Sequence, residues 1–185
     1  MPYTIIGDEH WQDYEVSADV DLDNGGWAGV MGRINNVGDG YGCAPKGYYL
    51  RLAADGTCTL VTVNGKAGEV ELGDKEHQEQ LRAAGNSGEK GEKQVATGTV
   101  ANLAGNQWHN VKLQFSGDVI TGFVDGAQVL SVTNNLYSHG MAGLITGDIK
   151  TRNTAFFDNL LINAVGAAIS KPTVFAKNQS PIYKP

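Results

Sequence analysis

Apolar and polar residues alternate along most of this chain, as they do in strands that bury one face and expose the other. The clearest segment is residues 14–22, where apolar residues hold the even positions and polar residues the odd ones. Further segments of this type are residues 27–35, 48–53, 57–63, 95–102, 108–115, 119–125, 127–133, 141–146 and 155–163. About ten short strands at such spacing predict an all-β fold, an antiparallel β-sandwich rather than a parallel sheet.

Turn residues and pattern breaks divide the chain further. Ala54-Asp55-Gly56 and Asp125-Gly126 each lie between two strand segments and predict hairpins. Residues 66–93 break the alternation, and within them residues 75–84 are compatible with a short helix that Gly85 ends. We therefore expect one sandwich domain over residues 1–165 with a surface insert at about 66–93, and a tail or linker over residues 166–185.

Composition limits the possible functions. A chain of 185 residues suits a single domain with its own core, and 25 Gly against 5 Pro favours many tight turns. The net charge is −6 and no run of Lys or Arg occurs, so the basic stripe that nucleic-acid binding needs is absent from the sequence. No apolar stretch approaches the roughly 20 residues that span a bilayer, and no secretory signal is visible at the start.

The two cysteines leave two interpretations open. Cys43 and Cys58 can form a disulfide if the chain between them folds back and brings their Cα atoms close together. The alternative is two separate thiols, one in a loop and one in a strand.

Three sequence segments carry a family resemblance. They are residues 2–14, Trp108-His109-Asn110-Val111-Lys112-Leu113, and Phe156-Phe157-Asp158-Asn159-Leu160-Leu161-Ile162. Together they resemble the C-terminal lectin-like domain of galactocerebrosidase-type glycosidases, a jelly roll of the concanavalin A/laminin-G type. The resemblance implies that catalysis belongs to a separate barrel domain, and that the chain is secreted or lysosomal as part of a larger protein.

The resemblance also implies a structural calcium ion with Asp158 as one ligand. In the alternation of Phe156, Asp158, Leu160 and Ile162 this acid lies on the apolar face, where it needs a cation or several hydrogen-bond donors. Donation from backbone N–H groups is the alternative. The series Asp19-x-Asp21-x-Asp23 imitates the start of an EF-hand loop but has Val30 where the bidentate Glu is required.

A group of aromatic and arginine residues forms the candidate carbohydrate site. Sugar sites combine an aromatic ring with side chains that hydrogen-bond hydroxyl groups, and an Arg on each of two neighbouring strands is more than a solvated face requires. The candidate residues are Trp27, Arg33, Tyr41, Tyr49 and Arg51, with Met31 beside them. Packing within the fold is the alternative role of such aromatics.

Signals for catalysis within this chain are weak. No Gly-x-Ser-x-Gly elbow and no His-x-x-x-His pair occurs, and acids are too frequent for any pair to be informative. This agrees with what the galactocerebrosidase resemblance implies, a non-catalytic, lectin-like module for galactose-containing glycans. Two alternatives remain: a structural domain that packs on a glycosidase barrel, and a jelly-roll enzyme that processes keto-glycosides.

Overall fold

The strands pack as two antiparallel sheets. The computed structural model describes residues 2–22, 26–36, 45–63, 92–147 and 155–166. Their strands are β1 (Tyr3–Ile6), β2 (Tyr14–Leu22), β3 (Trp27–Asn36), β4 (Lys46–Ala53), β5 (Thr57–Val63), β6 (Glu92–Thr99), β7 (His109–Ser116), β8 (Val119–Val124), β9 (Ala127–Thr133), β10 (Met141–Thr146) and β11 (Ala155–Ala164). One sheet has the order β1-β10-β3-β4-β5-β6 and the other β11-β2-β7-β8-β9. The predicted antiparallel sandwich is confirmed.

The main core lies between the two sheets and follows the sequence alternation. In β2, the even positions Tyr14, Val16, Ala18 and Val20 are buried, as predicted. Side chains from β7, β8 and β9 of the same sheet and from the facing six-stranded sheet complete this layer: Ala28, Val30, Tyr48, Leu50, Leu52, Cys58, Leu60, Val111, Leu113, Phe115, Ile120, Val124, Leu130 and Ala142. Burial of this apolar surface is the main source of the domain's stability.

A second apolar cluster occupies the outer face of the six-stranded sheet. Its buried members are Met31, Ile34, Tyr49, Val61, Val63 and Ile145, and Ile5, Trp27 and Met141 pack against them. The part of the outer face that carries this cluster is therefore not exposed to solvent.

The strand boundaries differ from the sequence expectation at β6. Alternation predicted a start at residue 95, but β6 begins at Glu92, because Glu92, Lys93 and Gln94 continue the pairing with β5. The rest of the expected insert, the compatible helix at 75–84 and the expected tail beyond residue 166 lie outside the described residues. Where the chain is described, it contains no helix that could cross a membrane.

Cys58 is a free, buried thiol, and Cys43 lies outside the described residues. Cys58 is thus a separate thiol located in a strand, as in the second of the two interpretations. Burial raises the pKa of the Cys58 thiol to about 12, so the reactive thiolate is scarce at neutral pH.

His109 ties a loop to the end of the sandwich. Its Nδ1 lies 2.7 Å from Oδ2 of Asp125 and its Nε2 lies 2.9 Å from the Ala104 carbonyl oxygen. Both neighbours are acceptors, so both ring nitrogens must carry hydrogen and the imidazole must be cationic to make both bonds. Ala104 belongs to the β6–β7 loop, which closes over Leu22 and Leu52 at this end.

This geometry predicts a pH-dependent stability. Partial desolvation lowers the pKa of His109, but the Ala104 carbonyl and the Asp125 carboxylate raise it further, so the pKa lies above its ordinary 6.5. Because its pKa is raised in the folded state, protonated His109 adds to the free energy of unfolding at pH values below 6.5. This contribution is lost as the pH rises through the folded-state pKa. Urea unfolding across this range should show the loss in the native chain and a smaller loss in His109→Gln. If the free energy of unfolding depends on pH in the same way in both chains, His109 does not contribute to the pH dependence.

Candidate functional site

Three of the predicted site residues meet on the outer face of the six-stranded sheet. Trp27 pairs with Ala53 in the β3–β4 register, and Arg51 and Tyr49 follow on the same face of β4. The Arg51 Cζ atom lies 4.2 Å from the centroid of the Trp27 ring and 5.7 Å from that of Tyr49. The guanidinium therefore stacks on the indole and lies beside the phenol.

A carboxylate that the sequence analysis did not single out completes this group. Arg51 Nη1 donates to Glu92 Oε2 at 2.9 Å, and Nη2 donates to Oε1 at 2.7 Å. This two-bond geometry is the strongest form of an arginine–carboxylate pair. The side chains of Arg51 and Glu92 are 14% and 17% exposed, so the pair lies at the edge of solvent. We call Trp27, Arg51 and Glu92 the Trp27 surface; Tyr49 is fully buried beside them and packs within the second apolar cluster.

A glycine gives Arg51 its room. Gly29 is the β3 register partner of Arg51, and a Cβ atom there would lie 1.8 Å from the Leu50 carbonyl oxygen. Any other residue would force β3 and β4 apart. The absence of a side chain opposite Arg51 also lets the guanidinium extend across β3 to Trp27.

The Arg51 guanidinium has N–H groups that Glu92 does not use, because each terminal nitrogen carries two hydrogens and Glu92 accepts from one on each. The Nε atom of Arg51 is buried and has no acceptor among the described residues. A buried donor without an acceptor costs about 1–3 kcal/mol. Burial strongly raises the pKa of Tyr49, so its hydroxyl stays protonated, and it donates to the Pro45 carbonyl oxygen at 2.5 Å.

Arg33 does not belong to this surface, contrary to the sequence expectation. The β3–β4 register shifts between Gly32 and Asn36, and Arg33 adopts a left-handed φ of 49°. This bulge resets the alternation, so the side chain turns inward and is 2% exposed. Its guanidinium lies 4.7 Å from the ring centroid of the core residue Phe115. Arg33 is thus a structural residue of the sandwich end.

Two other residues of the predicted patch also stand apart. Met31 shares the outer face but is fully buried in the second apolar cluster, so it packs rather than presenting a contact surface. Tyr41 lies outside the described residues. A role for Tyr41 in binding stays a prediction.

Asp158 is exposed, so the expectation that it lies on an apolar face is wrong. The register of β11 against β2 shifts between Asp158 and Leu161, and Asn159 adopts a φ of 51°. The core-facing positions of β11 are Ala155, Phe157 and Ile162. The Asp158 carboxylate accepts a hydrogen bond from the Asn159 N–H at 2.7 Å.

Among the described residues, no three His, Cys, Asp or Glu side chains lie close enough together to hold a metal ion. Calcium binding by Asp158 stays a prediction. A melting temperature that EDTA leaves unchanged would contradict it.

The outer face of the five-stranded sheet is polar and differs in character. Glu15 accepts hydrogen bonds there from Lys112 at 3.2 Å, Gln114 at 3.3 Å and Asn163 at 3.2 Å. Lys112 also lies 4.5 Å from the centroid of the Phe123 ring. Lys112, Phe123 and Glu15 thus form a second group of a cation, an aromatic ring and a carboxylate. Variants of this group can serve as controls for variants of the Trp27 surface.

Residues 3–163 match the family described as the 3-keto-alpha-glucoside-1,2-lyase-like domain. The chain belongs to this family. No curated protein sequence is similar enough to the chain to count as a match. Membership in the 3-keto-alpha-glucoside-1,2-lyase-like family agrees with the jelly roll that the galactocerebrosidase resemblance implied. The galactocerebrosidase type is not confirmed, and the family description does not decide between a binding module and the jelly-roll enzyme for keto-glycosides that the sequence left open.

Solved structures share the fold at low sequence identity. The carbohydrate-binding module CBM66 from Bacillus subtilis has a TM-score of 0.61 at 14% identity, over 88% of this chain and 81% of that one. Sheep galectin-11 has a TM-score of 0.51 at 11% identity, over 88% and 96%. A Bacteroides ovatus GH16 protein has a TM-score of 0.53 at 13% identity, over 85% of this chain and 72% of that one. These similarities establish the jelly-roll fold.

Glu92 is the site residue that sequence reasoning missed. It was placed within the predicted insert. The β5–β6 register shifts between Leu60 and Val61, so Glu92 is out of phase with Thr97 and Thr99 although all three lie on the same face. Alternation therefore gave no signal for this residue.

Proposed function

We propose that this chain is a carbohydrate-binding jelly-roll domain whose ligand contacts the Trp27 surface. The observation that carries the proposal is the stacked Trp27–Arg51 pair, held by the two hydrogen bonds to Glu92 at the edge of solvent. Sugars present apolar C–H faces that pack on indole rings and hydroxyl groups that bond to Arg and Glu. One surface here offers both.

Three further observations support a sugar as the ligand. The family is described by its relation to 3-keto-α-glucosides, one similar structure is titled a carbohydrate-binding module, and another is titled a galectin. The finer proposals are a galactose-containing glycan and a glycosidase partner on the same polypeptide. Both rest on the galactocerebrosidase resemblance.

Replacement of the indole tests the proposal. We expect Trp27→Ala to weaken binding of a neutral glycan, such as a galactoside, about tenfold or more, because the stacking face and the support for Arg51 are lost. Calorimetric titration measures the affinity. Trp108→Ala is the matched control, since Trp108 is 51% exposed and lies away from this surface at the start of β7. Equal loss in both variants, or none in Trp27→Ala, would contradict the proposal.

The family description favours a second candidate, a lyase acting on 3-keto-α-glucosides. In such a sugar the C2 proton is acidic because it neighbours the C3 carbonyl. A base that removes this proton allows a C1–C2 double bond to form while the bond from C1 to the glycosidic oxygen breaks, and that oxygen takes up a proton and leaves as the free alcohol. Glu92 is the carboxylate of the Trp27 surface and the base to test, with Arg51 as the group that polarises the carbonyl.

Incubation of the native chain with a 3-keto-α-glucoside separates the two candidates. Growth of the ultraviolet absorbance of the unsaturated ketone, abolished by Glu92→Gln, would identify a lyase. Binding without turnover would identify a recognition module.

A further inference from the structure

The Trp27 surface contains a guanidinium but no net charge. Glu92 occupies both terminal nitrogens of Arg51, at 2.9 and 2.7 Å. This is the position in which an arginine would otherwise bind the carboxylate of a ligand. A sugar acid can therefore form this two-bond contact with both terminal nitrogens of Arg51 only by displacing Glu92.

We propose that Glu92 makes this surface selective for uncharged sugars and excludes uronic acids. The inference rests on the proposed function and adds the substrate class. Glu92 occupies the edge of the guanidinium formed by the two terminal nitrogens and cancels the charge of Arg51, so the N–H groups that remain can bond a hydroxyl or carbonyl oxygen without a net attraction for an anion.

Repulsion acts in the same direction. An anionic group beside Arg51 would also lie beside the Glu92 carboxylate, which is 17% exposed and therefore weakly screened by water. Like charges held a few ångströms apart in such a setting are strongly unfavourable. The net charge of −6 opposes the approach of anions as well. Specificity thus comes from an unfavourable contact with the wrong ligand, not only from favourable contacts with the right one.

Glu92→Gln tests the inference with two sugars that differ only at C6, galactose and galacturonic acid. The native chain should bind galactose and bind galacturonate at least tenfold more weakly. Glu92→Gln should gain at least tenfold in galacturonate affinity, because the Arg51 terminal nitrogens become available. In the double variant Arg51→Gln/Glu92→Gln the gain should disappear. Calorimetric titration at low salt measures all three chains.

Glu15→Gln is the matched control. It changes the net charge by the same amount, and Glu15, like Glu92, accepts a hydrogen bond from a cation, in this case Lys112 at 3.2 Å. It lies on the other sheet, so it should leave the galacturonate affinity unchanged. An equal gain in Glu15→Gln would show that net charge alone is responsible and would overturn the inference.

The outcomes separate this inference from the proposed function. If the native chain binds galacturonate as tightly as galactose, the inference is wrong and the proposed function stands, whether or not Glu92→Gln folds. If the native chain binds no sugar, the proposed function is wrong. If Glu92→Gln then still binds galacturonate through Arg51, Glu92 does exclude anions from this surface.

Discussion

Arg33→Met should lower the free energy of unfolding by about 3–5 kcal/mol, the range for breaking a buried charged group's interactions. The guanidinium holds together three segments by donating to backbone carbonyls: Gln12 at 3.2 Å, Tyr137 at 3.1 Å and Gly117 at 2.8 Å. It also lies 3.4 Å from the Asp13 carboxylate. Methionine preserves much of the volume but leaves these acceptors without their donor.

Urea unfolding measures this effect. Arg33→Lys keeps the charge and should still lose most of the stability, since one ammonium group cannot reach three carbonyls arranged around a planar guanidinium. A free energy of unfolding for Arg33→Met within about 1 kcal/mol of the native value, the scale of a single hydrogen bond, would show that Arg33 does not hold the sandwich end together.

Arg51→Met should weaken neutral-glycan affinity about 10- to 100-fold, the range expected when a charged hydrogen-bond donor is lost. The variant removes the Nε–H donor, the partner of Glu92 and the cation above the Trp27 ring. It also leaves the Glu92 carboxylate without its bidentate partner, which would then repel ligand oxygens.

Lys112→Met is the matched control for this variant. Lys112 pairs with Glu15 at 3.2 Å and lies 4.5 Å from the Phe123 ring centroid, so the same charge and the same types of contact are removed from the other sheet. Calorimetric titration of both variants should show a loss of affinity for Arg51→Met alone. A loss for Lys112→Met alone would move the binding surface to the five-stranded sheet.

Alternation in the sequence predicted the sandwich because it reports burial directly. In β2 the four even positions from Tyr14 to Val20 are buried, and the predicted bounds of that strand match the structure. The same reasoning placed Trp27, Tyr49 and Arg51 on one sheet face, where they do meet.

Local backbone changes explain what alternation could not predict. Arg33 and Asn159 have left-handed φ angles of 49° and 51°, and each lies at a register shift that moves the next side chains to the other face. The change turns Arg33 inward. In β11 the core-facing Phe157 lies before the shift and Ile162 after it, so Asp158, next to Phe157, faces outward. Such a shift depends on tertiary contacts, so period-two reasoning cannot detect it.

Glu92 escaped prediction for a different reason, since its role depends on a long-range pairing. It stands opposite Val63 in the β5–β6 register, although 28 residues separate the two strands. The sequence places it in a polar stretch, and only the pairing of strands brings it to Arg51.

Chemical-shift mapping by NMR tests most directly whether the outer face of the six-stranded sheet binds sugar. The native chain is titrated with a neutral galactose-containing oligosaccharide while the Trp27 indole N–H and the Arg51 Nε–H signals are followed. We predict that these two signals shift with the ligand and saturate together, and that the Lys112 and Phe123 amide signals stay in place. Shifts confined to Lys112, Phe123 and their neighbours would show that sugar binds the opposite sheet.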